Sequence, residues 1–174
     1  LMASFYLLGI DSAVVEFHRG SEVPITDGSA KVFCEEFKRV GFEELEHYQT
    51  VFVIEEEFEI RPNGNFVRIR PYAGERFVYE GDFPYIGRKR VEYLGSPDEA
   101  LVGARTFCRV EDVPLLWLNS LGKGGNPINT LPLSSDLRYL VYSGEPAYHK
   151  LLDLIGDIAL LGGRVIGEIY SFRG

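Results

Sequence analysis

The chain has 174 residues, 18 of them basic and 26 acidic, for a net charge of −8, with 45% hydrophobic and 25% charged residues. That balance fits one ordinary globular domain or two small ones and excludes disordered, collagen-like and coiled-coil chains. It also argues against nucleic acid as a partner, because phosphate backbones are held by clustered Lys and Arg.

Leu1 to Leu8 reads as the last turns of a helix that has no capping residue before it and is closed by Gly9. A short β-branched strand is expected over Ala13 to Phe17. In EVPITDGSA (Glu22 to Ala30), Pro24 stops that strand, and Asp27 or Ser29 can cap a helix from Ala30 to Val40 that ends at Gly41. From Val51 the pattern alternates through Val53, Ile54, Phe58 and Ile60, turns at Asn63-Gly64, and resumes at Phe66, Val67 and Ile69, the signature of a hairpin. Further strands are expected at Arg76 to Tyr79 and Arg88 to Tyr93. Ser96-Pro97-Asp98-Glu99 opens a helix with Pro97 at its first position, and Val113 to Leu121 reads as a short apolar helix before the tight loop Gly122 to Gly125. The longest helix runs from Ala147 to Leu161 behind Pro146, and Val165 to Phe172 is a strand. The mixed order, without strict βαβ alternation, gives an α+β class with helices layered on a sheet and a boundary near Glu46 to Thr50.

Cys34 and Cys108 form no CxxC pair, so neither a disulfide framework nor a thiolate zinc cluster is expected, and a reducing, cytoplasmic location fits. No apolar run approaches the ~20 residues that span a bilayer, and the start carries no basic segment followed by a cleavage site, so no integral membrane segment is expected.

Chemistry concentrates in HKLLDLIGD, His149 to Asp157. Residues 149, 153 and 157 step by four, drifting about 40° per step around a helix, and so share one stripe. One imidazole and two carboxylates there suit a divalent metal: His149 supplies nitrogen, Asp153 oxygen, and Asp157 could orient from behind. A solvated polar stripe on a core helix explains the same spacing. In ARTF, Ala104 to Phe107, Thr106 could donate to a developing oxyanion or simply sit in a strand or cap. GKGG offers Lys123 and Gly125 to a substrate phosphate, but it lacks P-loop spacing and also reads as a plain turn. Phe83, exposed in a loop between Asp82 and Pro84, could stack on a base or anchor that loop. His18 and His47 have no partner at metal spacing.

Taken in order, LLGIDSAVVE (Leu7 to Glu16), EVPITDGSA, EGDF (Glu80 to Phe83), ARTF, GKGG, HKLLDLIGD and IGEIYSFRG (Ile166 to Gly174) resemble the UDP-3-O-acyl-N-acetylglucosamine deacetylases, zinc amidases of lipid A biosynthesis. The resemblance implies two similar domains, each a two-layer helix-on-sheet sandwich, with the active site between them. Residues 1–48 would end the first, and 49–174 would form most of the second. It implies zinc held by His149 and Asp153, an oxyanion stabilised by Thr106, and Asp157 orienting a catalytic His. The substrate would be a UDP-linked acylated amino sugar. Lys150 would meet its diphosphate, Asp82 and Phe83 its uridine, and Phe107 its sugar, while a βαβ insert over 108–131, with Leu116, Leu118 and Leu121 on its helix, would hold the acyl chain. In that family a Glu-His pair precedes the segment matched by Leu1-Met2 and a Gly-His follows SFRG. Neither is in this chain, which implies an interior cut of a longer enzyme; the alternative is a non-catalytic module binding the sugar nucleotide and acyl chain.

Overall fold

The computed structural model describes residues 1–61 and 64–173. Two positions in the expectations, Asn63 of the Asn63-Gly64 turn and Gly174 of the SFRG motif, lie outside the described residues. The fold is α+β. A six-stranded sheet is built from β1 (Val51–Val53), β2 (Phe58–Ile60), β3 (Phe66–Arg70), β4 (Glu75–Phe83), β5 (Gly87–Tyr93) and β8 (Arg164–Phe172). Strand β8 occupies the centre. It pairs in parallel with β1 and β4 and antiparallel with β3, while β2 and β5 extend the sheet as antiparallel neighbours of β3 and β4. Two further strands, β6 (Phe107–Arg109) and β7 (Leu131–Leu133), form a separate parallel pair.

Helices α1 (Met2–Leu8) and α5 (Glu145–Ala159) pack on each other, and α5 packs on β4 and β5, which makes the second layer. Period decides which residues lie between the layers. Phe77, Tyr79, Phe83, Val91 and Tyr93 project from one face of β4 and β5 onto Leu151, Leu152 and Ile155 of α5, and all are buried. Ala3, Tyr6 and Leu7 of α1, with Ala30 and Cys34 at the start of α2 (Lys31–Val40), join the same apolar cluster. On the opposite face of the sheet, Glu168 of β8 is nearly fully buried beneath arginines, with Arg70 Nε 2.7 Å and Arg76 Nη1 3.1 Å from its carboxylate.

The end of α1 follows the sequence: Gly9 adopts φ +72°, and its N–H closes the last turn on Tyr6. Helix α2 starts at Lys31 with Ala30, rather than Asp27 or Ser29, in the capping position and no side-chain cap; Ser29, one residue earlier and held by Asp27, accepts from Lys31 N at 3.0 Å. Three further expectations need correction. Residues 13–17 form no strand; Val14 is 88% exposed, and with no neighbouring strand to complete a ladder the β-branched run stays irregular. Asp98, not Ser96, caps α3 (Glu99–Val102) by accepting from Leu101 N at 2.7 Å, which leaves Pro97 outside the helix rather than at its first position. The apolar helix α4 (Val113–Leu118) stops before Leu121, whose N–H turns back to the Leu116 carbonyl at 2.8 Å. No helix of the described residues is long and apolar enough to cross a membrane.

Candidate metal and substrate site

The segment Ala104–Phe107 crosses the N-terminal half of α5, which holds Ala104, Arg105 and Phe107, while Thr106 is held by backbone outside that helix. The Ala104 carbonyl lies 3.0 Å from His149 Nδ1. Arg105 Nε donates to Glu145 at 2.7 Å. The Thr106 N–H donates to the Gly28 carbonyl at 2.7 Å, and the Thr106 carbonyl accepts from Leu131 N at 2.7 Å. The Phe107 ring stands edge-on to both Phe83 and His149, with centroids 5.8 and 6.4 Å apart. A short irregular stretch therefore carries a backbone acceptor, a hydroxyl and an aromatic edge in fixed positions.

Helix α5 presents His149, Asp153 and Asp157 along one stripe. The His149 side chain is 16% exposed and the Asp153 side chain 46%, so the stripe runs from the core outward. His149 Nε2 lies 3.7 Å from Asp153 Oδ1, and Lys150 Nζ donates to Asp153 Oδ2 at 3.1 Å. Burial pushes the Tyr79 phenol up, and the negative charge of Asp153 adds to it. Asp157 is exposed one turn further on, with no side-chain partner among the described residues.

A carbonyl oxygen can only accept, so the 3.0 Å contact makes His149 Nδ1 the donor and leaves the Nε2 lone pair of the neutral ring free, directed to the side where Asp153 lies. That is the arrangement by which proteins prepare an imidazole for metal, its other nitrogen tied to a carbonyl behind it. One nitrogen and one carboxylate oxygen fit a zinc ion by chemistry. Among the described residues no third His, Cys, Asp or Glu joins them.

The remaining candidate residues surround this pair unequally. Phe83 is the last residue of β4 and only 8% exposed, packed on Tyr79 and Phe107, which corrects the expectation of an exposed loop residue: its side of β4 faces the helix layer. Its neighbour Asp82 points to the opposite side of the strand and accepts from Arg173 Nε at 3.1 Å. Thr106 is half-buried, and its hydroxyl has no partner among the described residues. Lys123 and Gly125 lie in an exposed loop organised by two residues that sequence reasoning passed over. Asn129 Nδ2 donates to the Gly124 carbonyl at 3.0 Å while its Oδ1 accepts from Asn126 N at 2.8 Å. The loop packs on Gly28 (φ +82°), where a Cβ would lie 1.8 Å from the Asn129 carbonyl oxygen. Gly28 of EVPITDGSA thus lies under both Thr106 and the 122–130 loop.

Between β6 and β7, α4 projects Leu115, Trp117 and Leu118 into solvent, 61%, 68% and 82% exposed. An apolar helix exposed in this way is unusual for a surface of this size. Arg105, Glu145, Asn126 and Asn129 were also absent from the expected site. Their signal was present only as an Arg inside ARTF, a Glu four residues before His149, and the Asn-x-x-Asn spacing after GKGG.

Comparison with known proteins places these observations together. The family model for UDP-3-O-acyl N-acetylglycosamine deacetylase matches residues 1–174. A protein of Aquifex aeolicus (strain VF5) named UDP-3-O-acyl-N-acetylglucosamine deacetylase is 36% identical over 179 residues, covering all of this chain and 63% of the relative. Proteins of the same name from Brucella ovis and Brucella canis are each 35% identical over 184 residues, covering all of this chain and 64% of theirs. The chain therefore spans a little under two thirds of the length of these curated relatives.

Proposed function

The chain belongs to the UDP-3-O-acyl N-acetylglycosamine deacetylase family, and from that premise we propose that it serves hydrolysis of the N-acetyl group of a UDP-linked, 3-O-acylated amino sugar in lipid A biosynthesis. The observation that carries the reading is the His149–Asp153 pair, with Nδ1 committed to the Ala104 carbonyl. In this reading the pair contributes two of the three protein ligands that a catalytic zinc ordinarily takes. Zinc, when bound, supplies Lewis-acid polarisation of the amide carbonyl and a water that ionises near neutrality.

The chain's own groups divide the remaining work. The Nδ1–H bond holds the His149 ring so that it need not reorient on binding. Thr106, its backbone clamped on both sides, keeps its hydroxyl free to donate to the oxyanion that develops as the amide carbon becomes tetrahedral. Lys150 neutralises part of the Asp153 charge and, one third exposed, can reach the diphosphate. Asp157 orients a histidine that moves protons at the reacting centre. Asp82 and Phe83, at the end of β4, border the uridine site, Asp82 offering an acceptor and Phe83 shaping its wall from below. Phe107 presents an edge to the sugar, Lys123 and Gly125 approach its phosphates, and the exposed leucines of α4 take the acyl chain out of water.

The test is metal titration of chelator-stripped protein alongside His149→Ala, with acetate release from the acylated UDP-sugar followed in parallel. Zinc binding weakened by the substitution supports the proposal. Equal affinity in the two proteins overturns it. A second reading, a module that binds the acylated sugar nucleotide without catalysis, is favoured by the two-donor set found among the described residues. It predicts substrate binding unchanged by chelator.

A further inference from the structure

Glu145 occupies the first position of α5, four residues before His149 and so one turn below it on the same stripe. Its side chain is fully buried, a costly place for a carboxylate unless it is paired and hydrogen-bonded. Both oxygens are engaged. Oε1 accepts from Arg105 Nε at 2.7 Å and from the Arg105 backbone N–H at 3.4 Å; Oε2 accepts from Arg105 Nη2 at 3.2 Å and from Val141 N at 3.1 Å. Arg105 Nη2 also donates to the Tyr139 carbonyl at 2.8 Å. A bidentate fork of this kind fixes angle as well as distance.

Arg105 is the residue next to Ala104, whose carbonyl receives His149 Nδ1. The pair thus ties together the two ends of that one hydrogen bond: Glu145 through a single turn of rigid helix to the imidazole, Arg105 through one peptide unit to the carbonyl. Neither side chain is found among the contacts of His149 Nε2. We propose that Arg105 and Glu145 are positioning residues that hold His149 in its Nδ1–H tautomer, with Nε2 presented beside Asp153. The consequence for metal rests on the functional reading above; the consequence for the imidazole does not.

The chain has only three histidines, His18, His47 and His149, so nitrogen-15 correlation of the imidazole rings of metal-free protein, at a pH above the ordinary His range, resolves each ring. Wild-type His149 is expected as the Nδ1–H form. Two variants loosen the pair without emptying its space: Glu145→Gln removes the charge, and Arg105→Lys keeps a charge but loses the fork. Both should show a mixture of tautomers at His149 with His18 and His47 unmoved, and zinc affinity reduced about 10- to 100-fold, the usual effect of disturbing a ligand's supporting bond. A pair with a merely structural role would lower the unfolding midpoint and leave the His149 tautomer untouched, and that result in either folded variant overturns the proposal. An Nε2–H form in the wild-type protein overturns it without any variant. Failure of the wild-type protein to bind zinc, with the tautomer result intact, counts against the functional reading alone.

Discussion

Replacing Gly28 by Ala tests the packing of the site most directly. The new Cβ would stand 1.8 Å from the Asn129 carbonyl oxygen, whereas contacts under 3.0 Å are essentially never seen, so the two backbones must part by at least 3.0 − 1.8 = 1.2 Å. The Thr106 N–H to Gly28 carbonyl bond is 2.7 Å long, and a displacement of that size along it would stretch it to 2.7 + 1.2 = 3.9 Å, beyond hydrogen-bond range. An alanine at φ +82° costs about 1–2 kcal/mol by itself, and a buried group left unpaired adds about 1–3 kcal/mol. The expected loss is therefore about 2–5 kcal/mol. Gly124→Ala is the control: φ is +89°, but nothing lies within 4 Å of the Cβ position, so only the conformational cost of about 1–2 kcal/mol applies. Urea unfolding of both variants, followed by fluorescence, gives the two values. If they agree within about 0.5 kcal/mol, a spread typical of substitutions that disturb no packing, then close approach at Gly28 is not what holds the 122–130 loop on Thr106.

Other substitutions probe the rest of the molecule. Burial pushes the Tyr6 phenol from 10.0 up to about 12, so its share of stability is complete below pH 10 and declines as pH rises through about 12; Tyr6→Phe should flatten that decline in thermal melts across the range. Arg164 Nε donates to Glu75 Oε1 at 2.6 Å, and Nη1 to the Tyr6 carbonyl at 2.6 Å. Arg164→Leu leaves the nearly buried Glu75 carboxylate without its cation, held by the Tyr6 and Tyr93 hydroxyls, and should cost about 3–5 kcal/mol in urea unfolding, much of it recovered in the double variant with Glu75→Leu. Leu118→Glu should leave stability within about 0.5 kcal/mol, because the side chain is 82% exposed, yet weaken binding of the acylated UDP-sugar relative to its deacylated form in calorimetry. Asn129→Ala removes the bond to the Gly124 carbonyl, and the Gly124 and Gly125 amides should exchange with solvent faster as a result.

The elements legible in the sequence were those whose cause is local. Gly9 ends α1 because a left-handed residue is needed there, the alternation around Ile60 and Phe66 makes an antiparallel hairpin, and the period of HKLLDLIGD makes α5. The geometry of the His149–Asp153 pair was legible for the same reason, since a step of four residues on a helix is fixed before any tertiary contact forms. What was missed depends on partners remote in sequence. The run Ala13 to Phe17 has strand propensity but no neighbour to pair with. Phe83 was placed outside because Asp82 and Pro84 flank it, although the strand continues through it and turns its ring onto Phe107. Arg105 and Glu145 are 40 residues apart, and nothing short of the fold shows that one completes the other. Asp98 took over the cap from Ser96 because its own carboxylate reaches the Leu101 amide.

The place of β8 in the sheet bears on how the protein is made. Strands β1, β3 and β4 all precede it in the sequence, and each of them pairs with it. During synthesis they emerge with their central partner still inside the ribosome, so the hydrogen-bonding edges that face it must wait for residues 164–172. Sheet closure is then a late event spanning more than a hundred residues of chain, slow by the topology of its contacts and open to mispairing while it is pending. Overexpression at low temperature, or with a chaperone that shields strand edges, is expected to raise the soluble yield of this chain more than any change to the surface of α5.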